Sequence, residues 1–303
     1  MSERALTRAP SLPALFGRAG AALVPGASRL PFVGGGGGAV PDRVLTLDGV
    51  AVDRARLAAY DRVCGFDTSD ALPATYPHVL AFPLQLSLIT AGDFPLPAIG
   101  LVHIANRIVV HRAIGAGERL DLRVWATALE PHPRGRQFTI RTEVRVGGEL
   151  VWEESSTNLR RQGRAGGGRD GAPRDQQAEP PASATWRLPG DLGRRYGAVS
   201  GDLNPIHVHR LTARLFGFPS AIAHGMWTAA RCLAALGPAA TPGAGAAYAV
   251  DVSFRRPIVL PATVAFAEIA QDGGVAFAVR DAGRGTPHLE GRAAPLDTAV
   301  PAL

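Results

Sequence analysis

Residues 223–236 read AHGMWTAARCLAAL, and this stretch decides what surrounds it. Met226, Ala229, Ala230, Leu233, Ala234 and Leu236 leave a helix here small or apolar nearly all the way round, whereas a surface helix keeps a polar face. Such a helix has to be enclosed. Strand-like runs follow at Ala247 to Phe254, Ala262 to Ala270, Val275 to Arg280 and near Leu289. The same order occurs earlier in the chain. An apolar stretch from His78 to Ala91 precedes runs at Leu101 to Val110, Leu120 to Leu129, Gln137 to Val146 and Glu149 to Leu159, with Gly115-Ala116-Gly117 and Gly147-Gly148 as turns. Alternation in Val124 to Ala128 and Phe138 to Val146 suits a curved antiparallel sheet with one face on a helix and the other partly wet. The expected class is α+β, with two repeats that each wrap a curved antiparallel sheet around a long central helix. Joining the two sheets edge to edge would protect two edge strands.

The chain divides accordingly. Residues 1–40 hold an unbroken glycine run, Gly34 to Gly38, and several prolines, a composition expected to form a surface arm without regular elements. An N-terminal repeat spans 41–161, an Arg/Gly-rich linker 162–184, and a C-terminal repeat 185–303. With 303 residues and 46% hydrophobic composition, each repeat can bury a core. Cys64 and Cys232 form no CxxC pair and read as core residues. The formal charge of +6 comes from arginine alone, since the chain has no lysine. The arginines are dispersed except for Arg160, Arg161, Arg164, Arg169 and Arg174, so nucleic acid is not the expected partner. A positive surface would instead steer an anionic ligand inward. No apolar run approaches the ~18–20 residues of a membrane helix, and no signal-peptide pattern opens the chain, so a soluble cytoplasmic protein is expected.

Candidate chemistry sits just before the enclosed helix, in Ser200-Gly201-Asp202-Leu203-Asn204-Pro205-Ile206-His207 and Ile222-Ala223-His224-Gly225-Met226. Asn204-Pro205 is an N-cap followed by proline at the first helical position, and predicts a helix running to about Phe216 with Gly217 ending it. Capping does not explain Asp202 or His207, whose side chains could reach one water across the junction. A helix opening at Gly225 offers a bare N–H to a developing oxyanion. A metal site built from Asp202, His207, His209 and His224 is not expected. On one helix His207 and His209 would point to nearly opposite sides.

These two segments closely resemble the signature of the MaoC-like family of (R)-specific enoyl-CoA hydratases and 3-hydroxyacyl-thioester dehydratases. Tyr76-Pro77-His78-Val79-Leu80-Ala81-Phe82-Pro83 resembles the N-terminal half of its two-repeat actinobacterial members. The resemblance covers the chain from about Arg43 onward and implies a double hot-dog fold. It also implies reversible hydration of trans-2-enoyl thioesters to (R)-3-hydroxyacyl thioesters in fatty-acid or related lipid metabolism. Asp202 and His207 would hold the water, and the Gly225 N–H would receive the charge on the thioester oxygen. Ser200, Gly201, Asn204 and His224 would shape and support the site. No cofactor is implied, and the substrate would arrive on coenzyme A or an acyl carrier protein.

The N-terminal repeat lacks the Asp-x-Asn-Pro-x-His element. Its nearest equivalent, Phe66-Asp67-Thr68-Ser69-Asp70, has carboxylates but no histidine at the matching offset, so one active site per chain is expected. The segment from Pro83 to Phe94 would line an acyl tunnel, with Leu86 and Leu88 as substrate contacts. Arg255 and Arg256 are candidate pyrophosphate contacts, or ordinary surface charge. Two alternatives stay open: a hot-dog acyl-thioesterase, and a non-catalytic acyl-carrier-binding subunit of a lipid synthase. A homodimer is compatible with the sequence, as is a monomer in which the internal repeat already pairs.

Overall fold

A computed structural model describes residues 1–21, 38–161, 181–240 and 246–296. In chain order the elements are β1 (Ser2–Ala5), α1 (Leu12–Ala21), β2 (Arg43–Val50), α2 (Arg54–Cys64), α3 (Tyr76–Ile89), β3 (Leu101–Val110), β4 (Leu120–Ala126), β5 (Glu130–His132), β6 (Gly135–Val146) and β7 (Glu149–Arg161). The second half contains β8 (Ala184–Leu188), α4 (Leu192–Ser200), α5 (Pro205–Val208), α6 (Arg210–Leu215), α7 (Gly225–Leu236), β9 (Tyr248–Phe254), β10 (Ala262–Gln271), β11 (Gly274–Asp281) and β12 (Pro287–Pro295).

The strands form one 12-stranded sheet in the order β1-β2-β4-β6-β7-β3-β9-β12-β11-β10-β8, with β5 beside β6. Read outward from the β3–β9 seam, the two halves repeat one topology. With β1 and β5 left aside, the second strand of each half lies at the seam, then the fifth, fourth and third, and the first lies beyond them. The seam is antiparallel, with Asn106 opposite Val252 and Ile108 opposite Val250, and Arg107 Nη1 bonds Asp251 Oδ2 across it at 2.6 Å. Pairing β3 with β9 satisfies backbone groups that each repeat alone would leave open. This is the double hot-dog arrangement.

The central helices are buried on most sides. On α3, Tyr76, Val79, Ala81, Leu84, Leu86 and Leu88 are buried, and the helix packs against β2, β4 and β6. Met226, Trp227, Ala229, Ala230, Cys232, Leu233 and Leu236 are buried on α7. Cys64 and Cys232 are buried free thiols.

Two features depart from the sequence expectation. The helices α2 and α4 and the leading strands β2 and β8 were not foreseen, although Asp53 caps α2 through its carboxylate and Gly65 closes it in the left-handed conformation. The N-terminal 40 residues are not wholly an irregular arm. Strand β1 pairs in parallel with β2, and α1 places Leu12, Leu15, Phe16 and Ala19 at helical spacing, with Leu15 and Ala19 buried and Phe16 beside Phe82 at 6.5 Å. The apolar periodicity ends before the glycine run that dominated the composition, and Gly34 to Gly37 and most of the 162–184 linker lie outside the described residues.

Candidate active site

The loop holding Asp202 is positioned from both halves. Helix α4 ends at Gly201, whose φ of +83° suits glycine, and a Cβ there would approach Leu12 Cδ1 of α1 to 2.5 Å. Arg56 of α2 donates from Nε to the Val199 carbonyl at 2.7 Å and from Nη2 to the Ser200 carbonyl at 3.0 Å. A guanidinium from the first repeat thus satisfies the last carbonyls of α4, where the helix dipole also favours a cation. Ser200 Oγ accepts from the Asp202 amide at 3.1 Å. The serine therefore bonds the backbone of Asp202 rather than its carboxylate, which instead accepts from the Asn204 amide at 3.1 Å.

Asn204 caps α5 as anticipated, accepting from the Ile206 amide, but the predicted single helix to Phe216 is broken. His209 is extended (φ −146°) and its ring caps a separate helix, α6. The spacing argument against a metal therefore does not apply, since His207 and His209 do not share one helix.

His207 and His224 stack with ring centroids 3.7 Å apart. His207 Nδ1 lies 2.8 Å from the Ile222 carbonyl. A carbonyl can only accept, so Nδ1 carries the proton and Nε2 keeps its lone pair. Burial lowers the pKa of His207 against the pull of Asp202, favouring this neutral form. The Nε2–H of His224 donates to the Asp202 main-chain carbonyl at 3.0 Å, and its Nδ1 is buried without a partner among the described residues. Burial, reinforced by His207, pushes the His224 pKa down to about 3. His224 thus clamps the Asp202 loop as a neutral ring.

Asp202, His207 and His224 can each offer a ligand atom within 4.8 Å of the others. Donors around tetrahedral zinc lie closer, roughly 3.3 Å apart for ~2.0 Å bonds, and two of the four imidazole nitrogens here are already spent on carbonyls.

Gly225 opens α7, in the first turn where N–H groups have no intrahelical acceptor. A Cβ at this position would come within 2.9 Å of the Phe254 ring, so packing here favours glycine. Phe254 in turn lies 4.7 Å from the His103 ring.

These groups line a cavity of about 440 Å³ shared by both repeats. Leu86 lines it, with Val79, Phe82 and Phe16, but Leu88 does not. At 1% exposure Leu88 belongs to the core, because neighbours two apart on α3 face different sides. Arg255 and Arg256 lie at the rim, where Arg255 is occupied by Glu290 Oε2 through Nε (2.9 Å) and Nη2 (2.7 Å). Asp70 pairs with Arg54, and neither Asp67 nor Asp70 lines this cavity.

Sequence reading missed the polar wall facing Asp202. His78, Gln85, His103, Ser156 and Asn158 all line the cavity from the first repeat. Polar residues at inward positions, as Glu154 and Ser156 in register with Trp152 within Trp152-Glu153-Glu154-Ser155-Ser156, were the available signal.

A family model described as a MaoC like domain matches residues 171–289, which include Asp202, His207 and Gly225. The chain is 38% identical over 251 residues to 3-hydroxyacyl-thioester dehydratase X of Mycobacterium tuberculosis, covering 82% of this chain and 88% of that one. A crystal structure of HtdX from the same organism superposes with a TM-score of 0.74 at 37% identity, over 84% of this chain and all of that one. A second M. tuberculosis structure, described as a double hot-dog fold, has a TM-score of 0.54 at 14% identity, over 86% of this chain and 98% of that one, and bears on the fold alone.

Proposed function

The chain belongs to the MaoC-like dehydratase family and is a hydro-lyase of that type, and on this premise we propose that it interconverts trans-2-enoyl and (R)-3-hydroxyacyl thioesters in lipid metabolism. The observation that carries this reading is the junction of Asp202 and His207 on one cavity, with His207 Nδ1 committed to Ile222 and Nε2 left as a base. In hydration, His207 Nε2 or the Asp202 carboxylate takes a proton from water as the oxygen adds to C3. The hydrogen delivered to C2 comes from the same water. Charge grows on the thioester oxygen, and the Gly225 N–H with the α7 dipole stabilises it. Dehydration runs through the same groups in reverse.

The substrate is carried on coenzyme A or an acyl carrier protein, without a resident cofactor, and we place the reaction in the cytoplasm. No helix among the described residues is long and apolar enough to cross a membrane. The test is loss of the conjugated enoyl-thioester absorbance when the protein meets trans-2-enoyl-CoA, compared with Asp202→Asn and His207→Ala. Hydration by the wild type, lowered by orders of magnitude in both variants, is expected. Release of free thiol without hydration would overturn the reading in favour of a thioesterase.

A further inference from the structure

The wall contributed by the first repeat contains a buried charged pair for which the proposed chemistry has no use. Glu154 on β7 has a fully buried side chain, and both its carboxylate oxygens accept from side-chain donors. Oε1 accepts from His78 Nδ1 at 2.8 Å and Asn106 Nδ2 at 2.7 Å, and Oε2 accepts from Gln85 Nε2 at 2.9 Å. Burial opposes ionisation of both partners, yet mutual attraction holds the carboxyl of Glu154 below its usual range and that of the His78 imidazole above its own. His103 nearby is different: burial and the His78 charge lower its pKa to about 4, so it stays neutral beside Ser156 Oγ at 3.0 Å.

His78 is the member of the pair that reaches the cavity, with 12% of its side chain exposed. Its Nδ1 donates to Glu154, and because a fully buried carboxylate at 2.8 Å favours the imidazolium, Nε2 also carries a hydrogen and is the remaining donor. An ion pair is a costly way to line a hydrocarbon tunnel, because desolvating two charges is commonly no more stabilising than apolar packing in their place. Phe82, one turn further along α3 and 6.4 Å from the His78 ring, belongs to the apolar part of the same wall with Val79 and Leu86. On the hydratase reading, the Gly225 amide takes the thioester oxygen and the Asp202–His207 junction takes C3, both from the second repeat. The carrier leaves past the arginine rim, so the rest of the acyl chain runs along α3.

We infer that His78, oriented by Glu154, is a specificity-determining residue that donates a hydrogen bond from Nε2 to an oxygen on the acyl chain beyond C3. The preferred substrates are then oxygenated acyl thioesters rather than simple alkyl ones. A plain alkyl chain would strip water from a charged donor and leave it unpaired, whereas a hydroxyl or keto oxygen replaces that water. Sites built to bond a substrate hydroxyl can discriminate by ~10⁴–10⁵-fold, and a single hydrogen bond to a charged group that retains some water still corresponds to roughly tenfold.

This inference rests on the hydratase reading, and the test separates the two. Full-length wild type, His78→Leu and His78→Gln would be assayed on trans-2-octenoyl-CoA and on counterparts with one hydroxyl at C5, C6 or C7. We expect at least one hydroxylated chain to exceed the alkyl chain about tenfold or more in kcat/KM. His78→Leu should collapse that ratio toward one, while His78→Gln, which keeps a neutral donor, should retain part of it. Calorimetric binding of saturated octanoyl-CoA and its hydroxylated counterparts repeats the comparison without turnover. A hydroxyl preference in binding with no hydration would leave this assignment standing and remove the hydratase reading. Absence of any hydroxyl preference in the wild type, its survival in both variants, or an equal loss on every substrate would overturn the assignment.

Discussion

The two central helices begin in the same topological place and offer the cavity opposite chemistry. At the start of α7, Gly225 presents a first-turn amide beside a neutral His207–His224 stack. At the start of α3 the Tyr76 amide is already bonded to the Pro73 carbonyl at 2.8 Å, and Pro77 has no N–H at all. The amide that matches Gly225 in position is therefore already bonded on α3. That helix start carries the His78–Glu154 charged pair instead. The two repeats thus line one cavity with different chemistry, the second with the Asp202–His207 junction and the first with the His78–Glu154 pair.

If the second repeat alone holds the reacting groups, Asp202→Asn and His207→Ala should cost about 10²–10⁴-fold in kcat, the range of a lost general acid or base. Equally large losses at His78 would break the contrast, and steady-state enoyl-CoA hydration measures both. Next in size is Gly225→Ala. Its Cβ must displace the Phe254 ring and tilt the amide, and losing one such donor typically costs about 2.7–4 kcal/mol of transition-state stabilisation. The drop should appear in kcat more than in KM.

Two leucines two positions apart sharpen the picture of α3. Leu86→Trp should shorten the accepted acyl chain, lowering kcat/KM for long chains more than for short ones. Leu88→Trp, in a packed core, should lower stability by about 1–3 kcal/mol in denaturant melts with little change in chain-length profile.

The smallest expected effect is on pH. His103, His207 and His224 have folded pKa values below the ordinary 6.5, with His103 at about 4 and His224 at about 3. The unfolded chain binds their protons first, so their contribution to stability is complete above pH ~6.5 and falls as pH drops toward 4. His78 has the opposite sign, with a raised folded value, and its contribution fades as pH rises beyond 6.5. Melting temperatures between pH 4.5 and 8 should rise through the first window, and in His78→Gln the decline above it should be weaker.

Much of this was legible from local pattern. Asp202, Asn204, Pro205 and His207 lie within six residues of chain, so capping rules and side-chain reach drew them together, and the resemblance to the MaoC-like family supplied most of their functional reading. Periodicity likewise identified α7 and most strands, because an enclosed helix and a half-wet sheet impose different spacings on apolar residues. The pattern failed at Leu88, which shares the composition of α3 with Leu86 but not its face, and at α1, whose apolar positions were masked by the glycine run after it.

By itself, the sequence determined the repeated α+β order, the closeness of Asp202 and His207 and the glycine at the start of α7. These depend on neighbours a few residues away. Only the tertiary structure decided that Arg56 closes the end of α4 from 143 and 144 positions away, that His78 meets Glu154 across 76, and that β3 joins β9 so that both walls face one cavity. The energies of such contacts depend on burial and on which strands become adjacent. Those properties arise only when the whole sheet has closed around its helices.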